Sequence, residues 1–141
     1  MIDVENLVVD TVTKALQTEY PNILVTSEYT NSPSSFPCVS VVEADNYTYK
    51  NTQDDCLKEH HAHVMYEINV FSNKAKGSRA EAKKIANLVD DTLQNIKFTR
   101  TFKNEVPNYD KSIFRIVARY EAIIAKGVEI NKNTIYQVYR K

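Results

Sequence analysis

Apolar residues recur every three or four positions in two segments of the chain, which is the spacing of an amphipathic helix. The first segment extends from Val4 to Gln17 and is preceded by Asp3, a favoured N-cap residue. The second begins at Ser78, which with Glu81 has the spacing of a capping box. Its apolar stripe consists of Ala82, Ile85, Ala86, Val89, Leu93 and Ile96. We therefore predict two helices, each with one buried face.

Strands are indicated by runs of β-branched and aromatic residues and by apolar residues at every second position. The alternation is clear where Ala62, Val64 and Tyr66 are separated by His63 and Met65. The predicted strands are residues 23–27, 38–44, 62–70, 98–102 and 112–125.

The last of these strands has two chemically different faces. Its apolar face consists of Phe114, Ile116, Ala118, Tyr120, Ala122 and Ile124. The other face carries Arg115, Arg119 and Glu121, with valine and isoleucine between them. Gly127 is predicted to break this strand. The tail, residues 127–141, is expected to add an edge strand or to dock on a neighbouring molecule.

The order of elements is helix, strands, helix, strands, with few strands separated by helices. We therefore predict a single α+β domain over residues 1–141, with a mostly antiparallel (mixed) sheet of four to five strands and both helices on one face. The opposite face would be half apolar and half charged, which suits a protein–protein contact. Arg115, Arg119 and Glu121 are the predicted polar contacts on that face.

Residues 45–60 form a polar stretch that carries Tyr47 and Tyr49 at alternate positions. We predict a projecting hairpin arm or a long loop here, because long loops in compact domains are usually functional or disordered. Tyrosine is favoured at interfaces, so Tyr47 and Tyr49 are predicted interface anchors. Ordinary packing on the domain's own sheet is the alternative.

Charge is unevenly distributed along the 141 residues, although the formal net charge is zero. Residues 1–72 hold 3 basic and 11 acidic residues, and residues 73–141 hold 15 basic and 7 acidic residues. Acidic and basic surfaces on one molecule can meet head to tail in a ring or stack. Alternatively, the two halves intermix in the fold and their charges neutralise locally.

Composition and targeting signals narrow the class of protein. Hydrophobic residues make up 43% of the chain and charged residues 26%, which is typical of globular domains. No run approaches the roughly 18 apolar residues of a membrane span, and we expect no membrane partner. The acidic start of the chain does not resemble a signal peptide. Cys38 and Cys56 are expected to be reduced thiols.

Candidate catalytic and metal-binding groups are few. His60, His61 and His63 cluster at the start of a strand, and Asp54, Asp55 or Cys56 lie close enough in sequence to complete a metal site. A polar strand entrance is the simpler interpretation. Cys56 lies in an acidic stretch, which raises a thiol pKa and disfavours a nucleophile. Asp90 and Asp91 are predicted on a solvated helix face. We therefore expect no enzymatic activity, no cofactor and no metal.

The basic second half is also a candidate nucleic-acid surface, through Lys74, Lys76, Lys83, Lys84, Arg100 and Lys103. The acidic half would repel phosphate.

Several short runs together resemble a known family. They are residues 66–73, Ala82-Lys83-Lys84-Ile85-Ala86, Val89-Asp90-Asp91, Phe98-x-Arg100, Pro107-Asn108, Ile113-Phe114-Arg115 and Arg119-Tyr120-x-Ala122. By pattern, residues 60–125 resemble the tail-terminator (tail-completion) proteins of long-tailed bacteriophages and prophages.

The resemblance implies a structural virion protein, made in the host cytoplasm, that acts in the tail or neck. Such a protein forms a ring, commonly a hexamer, which caps the tail tube and helps to join tail to head. Its implied partners are further copies of itself, the tail tube protein and a head–tail connector protein, with nucleic acid at most passing through the ring lumen. A head–tail connector or stopper and a nucleic-acid-binding protein are the alternative functions.

Overall fold

A computed structural model describes residues 1–30, 32–48, 61–107, 110–130 and 133–139. In this part of the chain, two helices and a six-stranded mixed sheet confirm the predicted α+β class. The elements are α1 (Glu5–Glu19), β1 (Leu24–Thr26), β2 (Cys38–Thr48), β3 (His61–Ser72), α2 (Ser78–Asn95), β4 (Thr99–Glu105), β5 (Phe114–Ile130) and β6 (Asn133–Tyr139).

The main order of the sheet is β1-β2-β3-β5-β4. The pair β1–β2 is parallel and every other pair is antiparallel. Strand β5 is central, because β3 pairs along one of its edges while β4 and β6 share the other. The sheet therefore has five strands in its main order, and β6 is a sixth strand formed by the tail.

The core lies between the sheet and the two helices, which pack on the same face. The buried stripe of α1 is Val8, Val12 and Leu16, and that of α2 includes Ile85 and Leu93. Sheet residues with the same orientation close the core, among them the buried Tyr66, Val70, Ile116, Tyr120 and Ile124, and the buried Phe98 just before β4 joins them. The apolar face predicted for β5 therefore lies in the core.

The start of α2 differs from the predicted capping box. The N-cap residue is Gly77, in the left-handed region at φ 85°, and no side chain caps the helix. Glu81 instead accepts a hydrogen bond from Ser72 Oγ at 2.8 Å. The Glu81 carboxylate thus joins α2 to the end of β3. A rule based on local spacing does not consider partners in another element. At α1, the Asp3 carboxylate accepts a hydrogen bond from the Glu5 backbone N–H at 3.0 Å, although Val4 is the N-cap.

Two strand boundaries also differ from the prediction. Gly127 does not break β5, which continues to Ile130 because β6 pairs alongside it. The pairing shifts register between Lys126 and Glu129, and an irregularity of this kind is where glycine is tolerated in a strand. The predicted arm begins within β2, which extends to Thr48. Residues 49–60 lie outside the described residues.

Candidate interaction surface

The face of the sheet opposite the helices is called the outer face here. The strand registers place on it Thr26, Ser40, Val42, Asp45, Tyr47, His61, His63, Met65, Glu67, Asn69, Phe71, Phe102, Arg115, Val117, Arg119, Glu121 and Ile123. Because side chains alternate between the two faces of a strand, these residues share one face of the sheet, where buried and exposed side chains lie next to each other.

A chain of polar contacts crosses this surface between β3 and β5. Arg119 Nε donates to Glu67 Oε1 at 3.2 Å, and Asn69 Nδ2 donates to Glu67 Oε2 at 3.4 Å. Asn69 Oδ1 in turn accepts from Arg115 Nε at 2.9 Å. These four residues are called the polar chain below. Glu67 pairs directly with Arg119 across the strands, so opposite charges face each other in register.

Both arginines of the polar chain also lie over aromatic rings. The Arg115 guanidinium carbon is 5.5 Å from the ring centroid of Phe71, and that of Arg119 is 5.4 Å from Phe102. These separations are within the range of cation–π attraction. Two contacts on each side chain restrict its rotamers, so the guanidinium groups are held in place before any partner binds.

One end of the outer face is covered by the segment between β1 and β2. Ser40 Oγ donates to the Glu28 carbonyl at 3.1 Å, and Phe36 packs on a small cluster of Cys38, Phe71 and Ile113. The pKa of Tyr29 is raised by burial and, next, by the charge of Glu67 and a hydrogen bond to it. Tyr29 thus lies against Glu67, which is buried although it is on the outer face.

A second group on the outer face consists of Tyr47, His63 and Glu121. The Tyr47 and His63 rings stack with centroids 4.6 Å apart and an interplanar angle of 28°. His63 Nε2 lies 3.5 Å from Glu121 Oε1, and both side chains are buried. Beside this group, the rings of His61 and Tyr139 are tilted, with centroids 6.1 Å apart.

Exposed aromatic and arginine side chains lie beside these buried contacts. Tyr47, Tyr139 and Phe102 are 48%, 45% and 41% exposed, and the Arg119 side chain is 47% exposed. Aromatic residues and arginine are enriched at protein interfaces, and they are frequent among the residues that dominate binding energy. The surface therefore has the composition of a contact site.

The predicted interface residues fall into the two groups. Arg115 and Arg119 belong to the polar chain, whereas Tyr47 and Glu121 lie with His63. Tyr49 lies outside the described residues. Glu121 is only 7% exposed, so within one molecule its carboxylate faces His63 and not solvent.

Sequence reasoning missed how Glu67 and Asn69 join the two arginines. Both lie at the polar positions of a recognised strand, but only the register of β3 against β5 shows which arginine each one faces. A search for opposite charges at alternate positions of two predicted strands would have been the available signal.

Cys38, Asp90 and the possible metal ligands are the other candidate groups of the sequence. Cys38 is fully buried, and burial raises the pKa of its thiol to about 11. Asp90 accepts hydrogen bonds from Arg100 at 3.1 Å and from the Tyr120 hydroxyl at 2.7 Å. Within the described ranges, no three histidine, cysteine or acidic side chains form a group that holds a metal ion. Residues 54–56 and His60 lie outside these ranges.

Among the described residues, no helix is both long and apolar enough to cross a membrane. No model of a known protein family matches the chain, and no match is found among curated proteins. The resemblance to tail terminators therefore stays a prediction that rests on the residues that carry it.

Proposed function

We propose that this protein is a structural virion protein that forms a ring on the end of a phage tail tube. It would end tube growth and help to join tail to head, with further copies of itself, the tail tube protein and a head–tail connector as partners. The preorganised outer face carries this proposal. The step from an assembly protein to a tail terminator comes from the resemblance of residues 60–125.

The outer face supports a binding role because its polar groups are already paired within the molecule. Arg119 and Arg115 are fixed by Glu67, Asn69 and aromatic rings, so little side-chain entropy is lost when a partner covers them. A partner on this face also buries Tyr47 and Phe102, whose rings are already half exposed. The same features suit a head–tail connector or stopper, which is the nearest alternative.

Electron microscopy of the purified protein with tail tubes tests the proposal. The tubes are assembled from the tail-tube protein encoded in the same genome. We expect a ring of density at tube ends and none along the tube walls. A protein that leaves tube ends bare at high concentration would contradict the proposal.

Variants of the outer face show whether this surface makes the contact. Arg119→Ala combined with Tyr47→Ala removes an exposed arginine and an exposed ring, and we expect the fraction of capped tubes to fall at least tenfold. Lys14→Ala is the matched control, because Lys14 is exposed on α1 on the other side of the molecule. Equal capping by both variants would exclude the outer face as the contact.

Nucleic-acid binding is the second candidate, favoured by the cations of α2 and β4. Several of these cations are already paired, since Arg79 lies 3.2 Å from Glu105 and Arg100 lies 3.1 Å from Asp90. Pairing reduces the charge available to phosphates. Salt-sensitive binding of duplex DNA by the pure protein, without tube capping, would favour this candidate over the first.

A further inference from the structure

The two halves of the sequence occupy opposite sides of the molecule. Strands β1, β2 and β3 come from the first half and are adjacent in the sheet, whereas β5, β4 and β6 come from the second half. Helix α1 packs over β1 and β2, and α2 packs over β3, β5 and β4. The charge difference along the chain is therefore also a difference across the molecule, and the two halves meet along β3–β5 and between the helices.

The side formed by α1, β1 and β2 is acidic. Residues 1–48 contain seven carboxylates and one lysine, a net charge of −6. Asp10, Glu19 and Glu28 are exposed on this acidic side.

The side formed by α2, β4 and their flanking turns is basic. Residues 73–111 contain nine cations and five carboxylates, a net charge of +4. Arg79 and Lys83 share one carboxylate, Glu105, at 3.2 and 4.0 Å. Because two cations share one carboxylate, one positive charge is not neutralised, and Lys103 adds another on the exposed strand β4.

The basic side also has an open strand edge. Strand β4 pairs with β5 along one edge, and no other strand of the described residues pairs with it. All its residues except Thr99 are exposed. The unpaired backbone groups of an edge strand, together with excess positive charge, make this side a docking surface for an acidic partner.

We infer that the acidic side of one copy of this chain docks on the basic side of the next copy. The inference rests on the proposed ring and identifies the two surfaces that build it. Like sides repel, so a two-fold contact of acidic side on acidic side, or basic on basic, is disfavoured. A head-to-tail contact repeats from copy to copy and closes into a ring when the rotation permits. The opposite net charges of −6 and +4 favour this second copy over a nucleic acid, which would meet only the basic side.

Two charge-reversal variants test the inference. One carries Asp10→Lys, Gln17→Lys, Glu19→Lys and Glu28→Lys, all at exposed positions, which changes the net charge of residues 1–48 from −6 to +1. The other carries Lys83→Glu, Lys84→Glu and Lys103→Glu, which changes the net charge of residues 73–111 from +4 to −2. Each variant then presents two like-charged sides to its own copies. By analytical ultracentrifugation at low salt, we expect each variant to associate at least about tenfold more weakly than the unchanged protein.

An equimolar mixture of the two variants is the decisive sample. The reversed side of each variant is complementary to the reversed side of the other, so alternating copies are expected to restore oligomers larger than a dimer. The unchanged protein is expected to associate more weakly as NaCl rises from about 50 to about 500 mM, because salt screens exposed charges. Lys14→Glu is the control, since it adds negative charge to the acidic side and is expected to leave association intact or tighten it.

Four results would overturn the inference. They are reversal variants that assemble like the unchanged protein, a mixture of folded variants that stays monomeric, a mixture that stops at dimers, and an unchanged protein that is monomeric at about 1 mM in low salt. Circular dichroism verifies that each variant is folded. Tube capping is scored separately. If the mixture assembles but does not cap tubes, the head-to-tail contact stands and the proposed tail function is wrong. If the variants cap tubes although charge reversal leaves their association unchanged, the tail function stands and the head-to-tail contact is wrong.

Discussion

Glu67 occupies the middle of the polar chain, where its two oxygens accept hydrogen bonds from Arg119 and Asn69. Its side chain is only 11% exposed, so its removal leaves polar partners without an acceptor at a buried site. We expect Glu67→Ala to lower the free energy of unfolding by about 1 to 3 kcal/mol. Arg119→Ala is expected to have a smaller effect, about 0.5 to 1 kcal/mol, because that side chain is half exposed. Urea unfolding of the two single variants and of the double variant measures the coupling free energy between Glu67 and Arg119.

Lys103→Ala is the control for this cycle, because Lys103 is exposed on β4 and its side chain lies on the other face of the sheet. It is expected to change stability by less than about 0.5 kcal/mol. Strictly additive effects of Glu67→Ala and Arg119→Ala would contradict the polar chain.

Tyr66 and Tyr120 are buried phenols whose pKa values are raised above the ordinary 10.0. Burial is the main cause for both, followed for Tyr66 by Glu43 and for Tyr120 by its hydrogen bond to Asp90. A phenol with a raised folded pKa stabilises the protein below its unfolded pKa, and this contribution is lost as pH rises further. We therefore expect the free energy of unfolding to fall above about pH 10.

Tyrosinate absorbance, recorded with circular dichroism during alkaline titration, measures this effect. Two of the nine tyrosines are expected to ionise only as the protein unfolds. In the double variant Tyr66→Phe and Tyr120→Phe, the free energy of unfolding is expected to fall less steeply above about pH 10. Ionisation of all tyrosines in the folded protein would be incompatible with the burial of these two rings.

At the scale of elements, the start of α2 offers a direct test of the corrected cap. Gly77 is left-handed at φ 85°, and an added Cβ would meet nothing within 4 Å. Gly77→Ala therefore changes only backbone strain, and we expect it to lower stability by about 1 kcal/mol. Gly77→Asn should lower stability less, because asparagine tolerates this conformation better.

Ser78→Ala is the matched substitution at the neighbouring position. No side chain caps the helix, so this variant is expected to change thermal and urea stability by less than about 0.5 kcal/mol. If Ser78→Ala were as destabilising as Gly77→Ala, the result would favour the predicted capping box of Ser78 and Glu81 over the cap seen in the structure.

Hydrophobic periodicity was sufficient to predict both helices, the alternation of β3 and β5, and the packing of the helices on one face. These features are local, because one buried face of each element determines its pattern. The cap of α2 and the end of β5 depend on distant partners, since Ser72 donates a hydrogen bond to the Glu81 carboxylate and β6 pairs with β5 past Gly127. Sequence spacing carries no information about such partners.

The candidate surface was predictable to a similar extent. Alternation placed Arg115, Arg119 and Glu121 on one face of the sheet, and the strand registers agree. What each side chain contacts was not predictable, because cross-strand pairing depends on a register that no local pattern specifies. The contacts of Glu67, Asn69 and His63 therefore became visible only in the folded arrangement.

At the scale of the whole molecule, the outer face, the acidic side and the basic side have separate roles in the proposed assembly. The outer face carries paired arginines and exposed rings, and the acidic and basic sides lie at opposite ends of the sheet. A ring subunit needs sides for its neighbours and a further face for another partner. In the proposed assembly, the two sides therefore contact further copies of the chain, and the outer face contacts the tube.

The length of growing tail tubes measures the central claim most directly. Purified protein is added to assembling tube protein at increasing ratios, and tube lengths are measured by electron microscopy. A ring that caps tube ends is expected to shorten the tubes at far less than one copy per tube subunit, because each ring blocks a whole end. An unchanged length distribution at equimolar protein, with the protein verified as folded, would contradict the account.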